Sequence, residues 1–181
     1  MKATETKLKG CYILNPTLHK DHRGCFFESY HERKFQDHMG TNIHFVQDNH
    51  SISKKGVLRG LHFQKGEHAQ TKLVRVVRGE VLDVVVDLRK KSKTFGKHMK
   101  IRLSESNQKI LFIPKGMAHG FLALSNETVF VYKCDRYYNS VSEGGIIYND
   151  SHLGIDWEYP MDRIILSEKD QLLPKFKELE L

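Results

Sequence analysis

The run Lys72-Leu73-Val74-Arg75-Val76-Val77-Arg78-Gly79-Glu80-Val81-Leu82-Asp83-Val84-Val85-Val86-Asp87-Leu88-Arg89 constrains the fold more than any other part of the chain. Its β-branched residues are stiff at χ1 and suit a pleated surface, so it predicts two strands, 72–77 and 81–88, turning through Arg78-Gly79-Glu80. The same reading predicts strands at 42–48, 57–63, 99–103, 110–113, 120–124 and 128–134. Turn chemistry separates them at Lys65-Gly66, 104–107, Pro114-Lys115-Gly116 and Ser125-Asn126. Short strands at intervals of about 8–12 residues predict an antiparallel sandwich or barrel. Helices are expected only at the periphery. One is read at 31–39, with Phe35 and Met39 on one face and Gly40 as its stop, and a second near 168–173. No repeat or linker interrupts the chain, which reads as one domain over 1–181.

At 181 residues the chain is long enough to bury a core without staples. Cys11, Cys25 and Cys134 are too few and too scattered for a disulfide framework or a CxxC metal site. That usage, the polar N-terminus and the lack of an apolar run of about 18 residues together lead to the expectation of a cytoplasmic protein with no membrane association. The formal charge of +7 suits an anionic partner: nucleic acid, membrane phosphate or a phosphorylated small molecule. The basic cluster Arg89-Lys90-Lys91-Ser92-Lys93 lies between two predicted strands without interleaved aromatics and reads as a solvated loop. Arg59, Lys72 and Arg75 fall inside predicted strands, where alternation turns some of them inward. A cation facing inward needs an anion, which favours a small ligand in a cavity over a nucleic acid.

Two stretches resemble the paired metal-binding motifs of cupin-type barrels. Five residues separate Gly56 from His62-Phe63-Gln64, six separate Lys72 from Gly79, and Pro114-Lys115-Gly116-Met117-Ala118-His119 gives the second motif, Pro-x-Gly-x-x-His. Gln64 stands where the pattern has its second histidine and Lys72 where it has its glutamate, and the gap between them is longer than the pattern allows. An ammonium in a ligand shell repels a divalent cation, so no metal is expected. The same inward groups suit proton chemistry instead, with a histidine as base and a lysine beside developing negative charge. A lone His62 would read as a hydrogen-bonded core histidine, but His62, Lys72, His119 and Arg59 all belong to strands of one barrel.

Beyond the cupin motifs, the chain from about residue 5 to residue 175 resembles the dTDP-4-dehydrorhamnose 3,5-epimerase family. The resemblance rests on Asp21-His22-Arg23-Gly24-Cys25-Phe26-Phe27-Glu28, Gln47-Asp48-Asn49-His50-Ser51, Gly56 to Gln64, Gln70-Thr71-Lys72-Leu73-Val74 and Pro114 to Phe121. It continues through Tyr132-Lys133-Cys134, Tyr137-Tyr138, Glu143 and Ser167-Glu168-Lys169-Asp170. The resemblance implies an all-β, cupin-type jelly roll that inverts C3 and C5 of dTDP-4-dehydro-6-deoxy-D-glucose without a cofactor. It implies His62 as base, Asp170 as its partner, Lys72 at the enolate oxygen and Tyr132 as acid. It further implies that Arg23, Glu28, Gln47, Asn49, Arg59, His119, Glu143 and Lys169 bind the nucleotide-sugar. Phe26 is open to two readings, stacking on the base or packing in the core. Tyr138 is likewise either a pocket residue or a tyrosine at a sheet edge. The family forms dimers, so a homodimer is implied in which Arg23 to Glu28 complete the partner's site.

The chain departs from the family pattern at three loop positions, where Lys93, Ser140 and Ser151 replace prolines. Two other functions stay open on the same scaffold: a 3-epimerase, or an epimerase of another nucleotide-linked 4-keto sugar. More distant are a non-catalytic binding barrel and a metal-dependent dioxygenase.

Overall fold

The computed structural model describes residues 1–180. Thirteen strands are found among them. In chain order they are β1 (Lys2–Glu5), β2 (Tyr12–Asn15), β3 (His19–Asp21), β4 (Gly24–Phe26), β5 (Gln47–Ser53), β6 (Leu58–Gln64), β7 (Lys72–Arg78), β8 (Glu80–Asp87), β9 (His98–Ser104), β10 (Ile110–Ile113), β11 (Met117–Ala123), β12 (Thr128–Cys134) and β13 (Glu143–Gly145). Two short α-helices join them, α1 (Glu32–Met39) and α2 (Glu168–Gln171). A six-stranded sheet runs β1-β2-β10-β7-β12-β5 and a five-stranded sheet runs β13-β6-β11-β8-β9, while β3 and β4 form a separate hairpin. All pairings within the sheets are antiparallel.

Alternation along the strands decides what lies between the sheets. From β7 come Val74 and Val76, from β12 Phe130, from β8 Val81 and Val85, and from β11 Met117 and Phe121, all in one buried cluster. Each such side chain, taken fully out of water, contributes about 1.5–3 kcal/mol. The intervening residues of the five-stranded sheet, Leu82, Val84, Val86, Ala118 and Leu122, face the other way. They are covered by the C-terminal segment through Leu153, Trp157 and Phe176. Phe35 of α1 packs with Leu14, Leu73, Ile110 and Phe112 on the outside of the six-stranded sheet.

The expectation of a strand over 42–48 is corrected. Ile43 and Phe45 pack against the α1 cluster, with Phe45 5.4 Å from Tyr30 and 5.6 Å from Phe35, and the strand begins only at Gln47. The 89–93 cluster is also only partly a solvated loop. Arg89 donates from Nε and Nη2 to the fully buried carboxylate of Asp87 at 2.8 Å each, and from Nη2 to the Lys9 carbonyl. Burial works against the Asp87 charge, but the hydrogen bonds from Arg89, Ser92 and Thr94 prevail and hold this carboxyl well below the usual range.

Candidate active site

The register of β6 against β11 shifts between His119 and Phe121: His119 pairs with His62 but Phe121 pairs with Arg59. The extra residue on β6 is a bulge, which re-aims the side chains on either side of it. Leu58, Leu61 and Phe63 face the outer cluster while His62 is delivered to the cavity. The bulge needs glycine on both strands. Gly60 sits at φ 127°, and a Cβ there would come within 2.6 Å of the Gly120 Cα. A Cβ at Gly120 would in turn come within 2.7 Å of the Arg59 carbonyl.

At this end of the sandwich the space between the sheets opens into a cavity of about 580 Å³. Arg59, His62, His119 and Phe121 line it from the five-stranded sheet, Asn49, Lys72, Phe130 and Tyr132 from the six-stranded sheet, and Lys169 and Asp170 from α2. A smaller adjoining space of about 260 Å³ is shared by Gln47, Asn49, His62, Gln64, Lys72, Tyr132, Tyr138 and Glu143.

His62 Nε2 lies 2.7 Å from Asp170 Oδ1, and the Gly60 N–H points at Oδ2 from 3.4 Å. The Ser167 hydroxyl caps α2 by accepting from the Asp170 N–H at 3.1 Å, which fixes the turn that aims this carboxylate. Asp170 is buried. Burial alone would raise its pKa, but the hydrogen bonds from His62 and from the Gly60 N–H prevail and lower it. The carboxylate therefore stays ionised beside the imidazole, leaving Nδ1 as the ring nitrogen with no hydrogen-bond partner among the described residues.

Lys72 and Tyr132 stand on the facing sheet. The Lys72 side chain is buried and its Nζ lies 5.9 Å from the Tyr132 ring centroid. Burial lowers the Lys72 pKa, against the opposing pull of Cys134, Asp83 and Glu143, and raises that of Tyr132, which keeps its proton near neutrality. Cys134, directly across from Lys72 in the β12–β7 ladder, is pushed up to about 11 by burial and is a neutral thiol.

A second buried pair lies behind the first. His119 Nε2 is 2.9 Å from Asp83 Oδ2, with His119 6% and Asp83 0% exposed. Asp83 Oδ1 has no hydrogen-bond partner among the described residues. Sequence reading placed His119 in the site but missed Asp83. The signal was a carboxylate at an inward position of an otherwise apolar strand.

The remaining expected residues divide by location. Arg59 donates to Ser53 Oγ at 3.2 Å, and Asn49 Oδ1 accepts from Gln47 Nε2 at 3.0 Å. Glu143 accepts from the Tyr138 hydroxyl at 2.6 Å and is ion-paired with Lys169, which together lower its pKa despite its burial. Tyr138 is thus a pocket residue. Arg23, Phe26 and Glu28 are not brought to this cavity. Arg23 is paired with Asp21 and Glu28 with Lys34, and Phe26 is 69% exposed, which overturns its core reading.

Two antiparallel sheets enclosing a polar cavity behind a Pro-x-Gly-x-x-His strand entry make this a cupin-type barrel, here fitted with histidine–carboxylate pairs and a buried lysine. Comparison with known proteins narrows the class. Residues 5–178 match the model of the dTDP-4-dehydrorhamnose 3,5-epimerase family. The chain is 50% identical over 175 residues to the dTDP-4-dehydrorhamnose 3,5-epimerase of Salmonella typhimurium, covering 96% of this chain and 94% of the relative. A solved dTDP-4-dehydrorhamnose 3,5-epimerase from Elizabethkingia anophelis superposes with a TM-score of 0.94 at 55% identity, covering 98% of this chain and 97% of the other. The dTDP-6-deoxy-D-glucose-3,5-epimerase of Legionella pneumophila, solved with dTDP-4-keto-L-rhamnose, gives 0.94 at 42% identity over 99% of this chain and 94% of that one. The chain belongs to the dTDP-4-dehydrorhamnose 3,5-epimerase family.

Proposed function

We propose that the chain converts dTDP-4-dehydro-6-deoxy-D-glucose to dTDP-4-dehydro-L-rhamnose by inverting C3 and C5 through enolates. One observation carries the assignment of roles: the His62–Asp170 pair and the Lys72–Tyr132 pair stand on opposite walls of one cavity. Inversion requires this separation, because a proton taken from one face of a sugar carbon must be replaced from the other.

The C4 ketone makes the C3 and C5 protons acidic. His62 Nδ1 removes one of them, and Asp170 stabilises the imidazolium formed. The electron pair moves onto the C4 oxygen. Lys72, short of counter-charge in its buried setting, gains it as the enolate forms, and His119 stands next to His62 on the same wall. Tyr132 donates its hydroxyl proton to the opposite face of the carbon, and exchange with solvent resets both groups. Arg59 and Lys169 supply charge for the diphosphate at the cavity rim. The solved Legionella relative, holding the corresponding product, supports this substrate class.

We further propose a cytoplasmic homodimer. The exposed hairpin with Arg23 and Phe26, and Glu28 just beyond it, do not line their own cavity, which supports their use at the site of a second copy. Incubation in D2O tests the chemistry. Solvent deuterium is expected at both C3 and C5, and label at C3 alone would make the enzyme a 3-epimerase. Sedimentation at several concentrations tests the assembly, and a monomer throughout would refute it.

A further inference from the structure

The segment 137–142 carries Tyr138 to the cavity mouth with almost no apolar anchorage: Tyr137, Tyr138 and Val141 are 70%, 53% and 93% exposed. Its position therefore rests on hydrogen bonds. Two successive backbone N–H groups are taken up by side-chain amides from the two facing sheets. Gln47 Oε1 of β5 accepts from the Tyr138 N–H at 2.8 Å, and Gln64 Oε1 of β6 accepts from the Asn139 N–H at 3.1 Å. Asn139 then turns the chain, its Oδ1 accepting from the N–H groups of Val141 and Ser142 at 3.0 Å each. Immediately beyond, Glu143 resumes ladder pairing opposite Gln64 itself. Gln64 thus meets this stretch at two points, by its side chain at Asn139 and by its backbone register at Glu143, beside the Lys65 N–H that donates to the Ser142 carbonyl at 2.8 Å, and it is itself buried.

We propose that Gln64 is a positioning residue for substrate binding, holding the 137–142 segment so that Tyr138 and Glu143 meet at the cavity mouth. The proposal rests on the reading of Tyr138 and Glu143 as substrate-binding residues. It gives the glutamine at the second-histidine position of the cupin pattern a mechanical duty. Gln64 acts through the segment, not by touching the nucleotide-sugar.

A double-mutant cycle with dTDP as the calorimetric probe separates these two modes of action. Gln64→Met should weaken dTDP binding and raise KM by about ten-fold, as expected for a lost buried hydrogen bond, with kcat within two-fold of the parent. In a Tyr138→Ala background the same substitution should cost much less than in the parent, because one of the two groups it brings together is gone. Additive losses, or a fall in kcat at unchanged KM, would overturn the proposal. Amide exchange on the ligand-free protein supplies an arm that needs no substrate. The Asn139 amide should exchange at least about ten-fold faster in Gln64→Met and near the parent rate in Gln64→Glu, which keeps the accepting oxygen. Unchanged exchange in Gln64→Met overturns the clamp. Failure of the parent protein to bind dTDP would instead count against the reading of the site, with the exchange rates still deciding the clamp.

Discussion

Replacing Asp170 by asparagine isolates the contribution of one buried charge to proton transfer. The substitution keeps the volume and an oxygen able to face the Gly60 N–H, but it removes the anion 2.7 Å from His62 Nε2. A hydrogen bond to a charged partner contributes about 1.5–3 kcal/mol net, more than a neutral one. That amount is withdrawn from the imidazolium, a species formed only when substrate gives up its proton. The loss therefore falls on the chemical step and corresponds to about 10- to 160-fold in kcat, with KM little changed. An asparagine that turns its NH2 toward Nε2 would also leave the proton on Nδ1, deepening the loss. Steady-state turnover, with thermal melting as a check on folding, measures the effect. A kcat within three-fold of the parent for Asp170→Asn, at the same melting temperature, would refute the assignment of His62 and Asp170 as a working pair.

Lys72→Met should separate activity from stability. The enolate loses its cation, so kcat should drop by about 100-fold or more. Stability should move the other way, because the unfolded lysine holds its proton over a pH range in which burial disfavours it in the folded chain. The cost applies below the ordinary lysine pKa and fades as pH rises through that window, so the variant should melt about 2–4 °C higher for each kcal/mol relieved near neutrality. Ser167→Ala removes the cap of α2 and should cost about 1 kcal/mol, read as a lower urea midpoint at unchanged slope, together with a loss of kcat as Asp170 is less firmly aimed. Asp87, Glu143 and Asp170 all have lowered pKa values in the folded chain. The stability they contribute is present above the ordinary carboxylate range and is lost as pH falls through their folded values. The urea midpoint should accordingly hold from pH 7 to about 5 and fall below about 4.

What the sequence disclosed follows from where side-chain pattern and burial coincide. β7, β10 and β12 were readable within a residue or so because each is centred on buried β-branched, leucine or aromatic residues. β5 was misplaced because Gln47–Ser53 is a polar edge strand, held by its ladder to β12, while the apolar residues just before it serve the α1 cluster. The strands β1 to β4 are three or four residues long and mostly exposed or half-buried, too short for alternation to register. In the site, His62, Lys72, His119 and Arg59 were placed together by strand alternation and motif, and Tyr132 and Asp170 entered through the family resemblance. Asp83 was not, since one carboxylate in an apolar run looks like an exposed interruption until the second sheet is in place. Nor was the duty of Gln64, whose partner is a backbone N–H 75 residues away.

Asp170 reaches His62 from 108 residues further along the chain, on the segment that closes over the outside of the five-stranded sheet. Both sheets can pair, and the barrel can enclose its cavity, before the carboxylate arrives. The sheets pair over comparable separations, Leu14 with Ile110 and Asp48 with Lys133, so α2 is expected to dock after them not because its loop is longer but because the surface it packs on is built by them. Recovery of turnover after dilution from denaturant is therefore a clock for the docking of the C-terminal segment. It should lag behind the recovery of strand signal in circular dichroism, and an intact barrel without its last turn of helix would be a protein whose base is in place before the carboxylate that supports it.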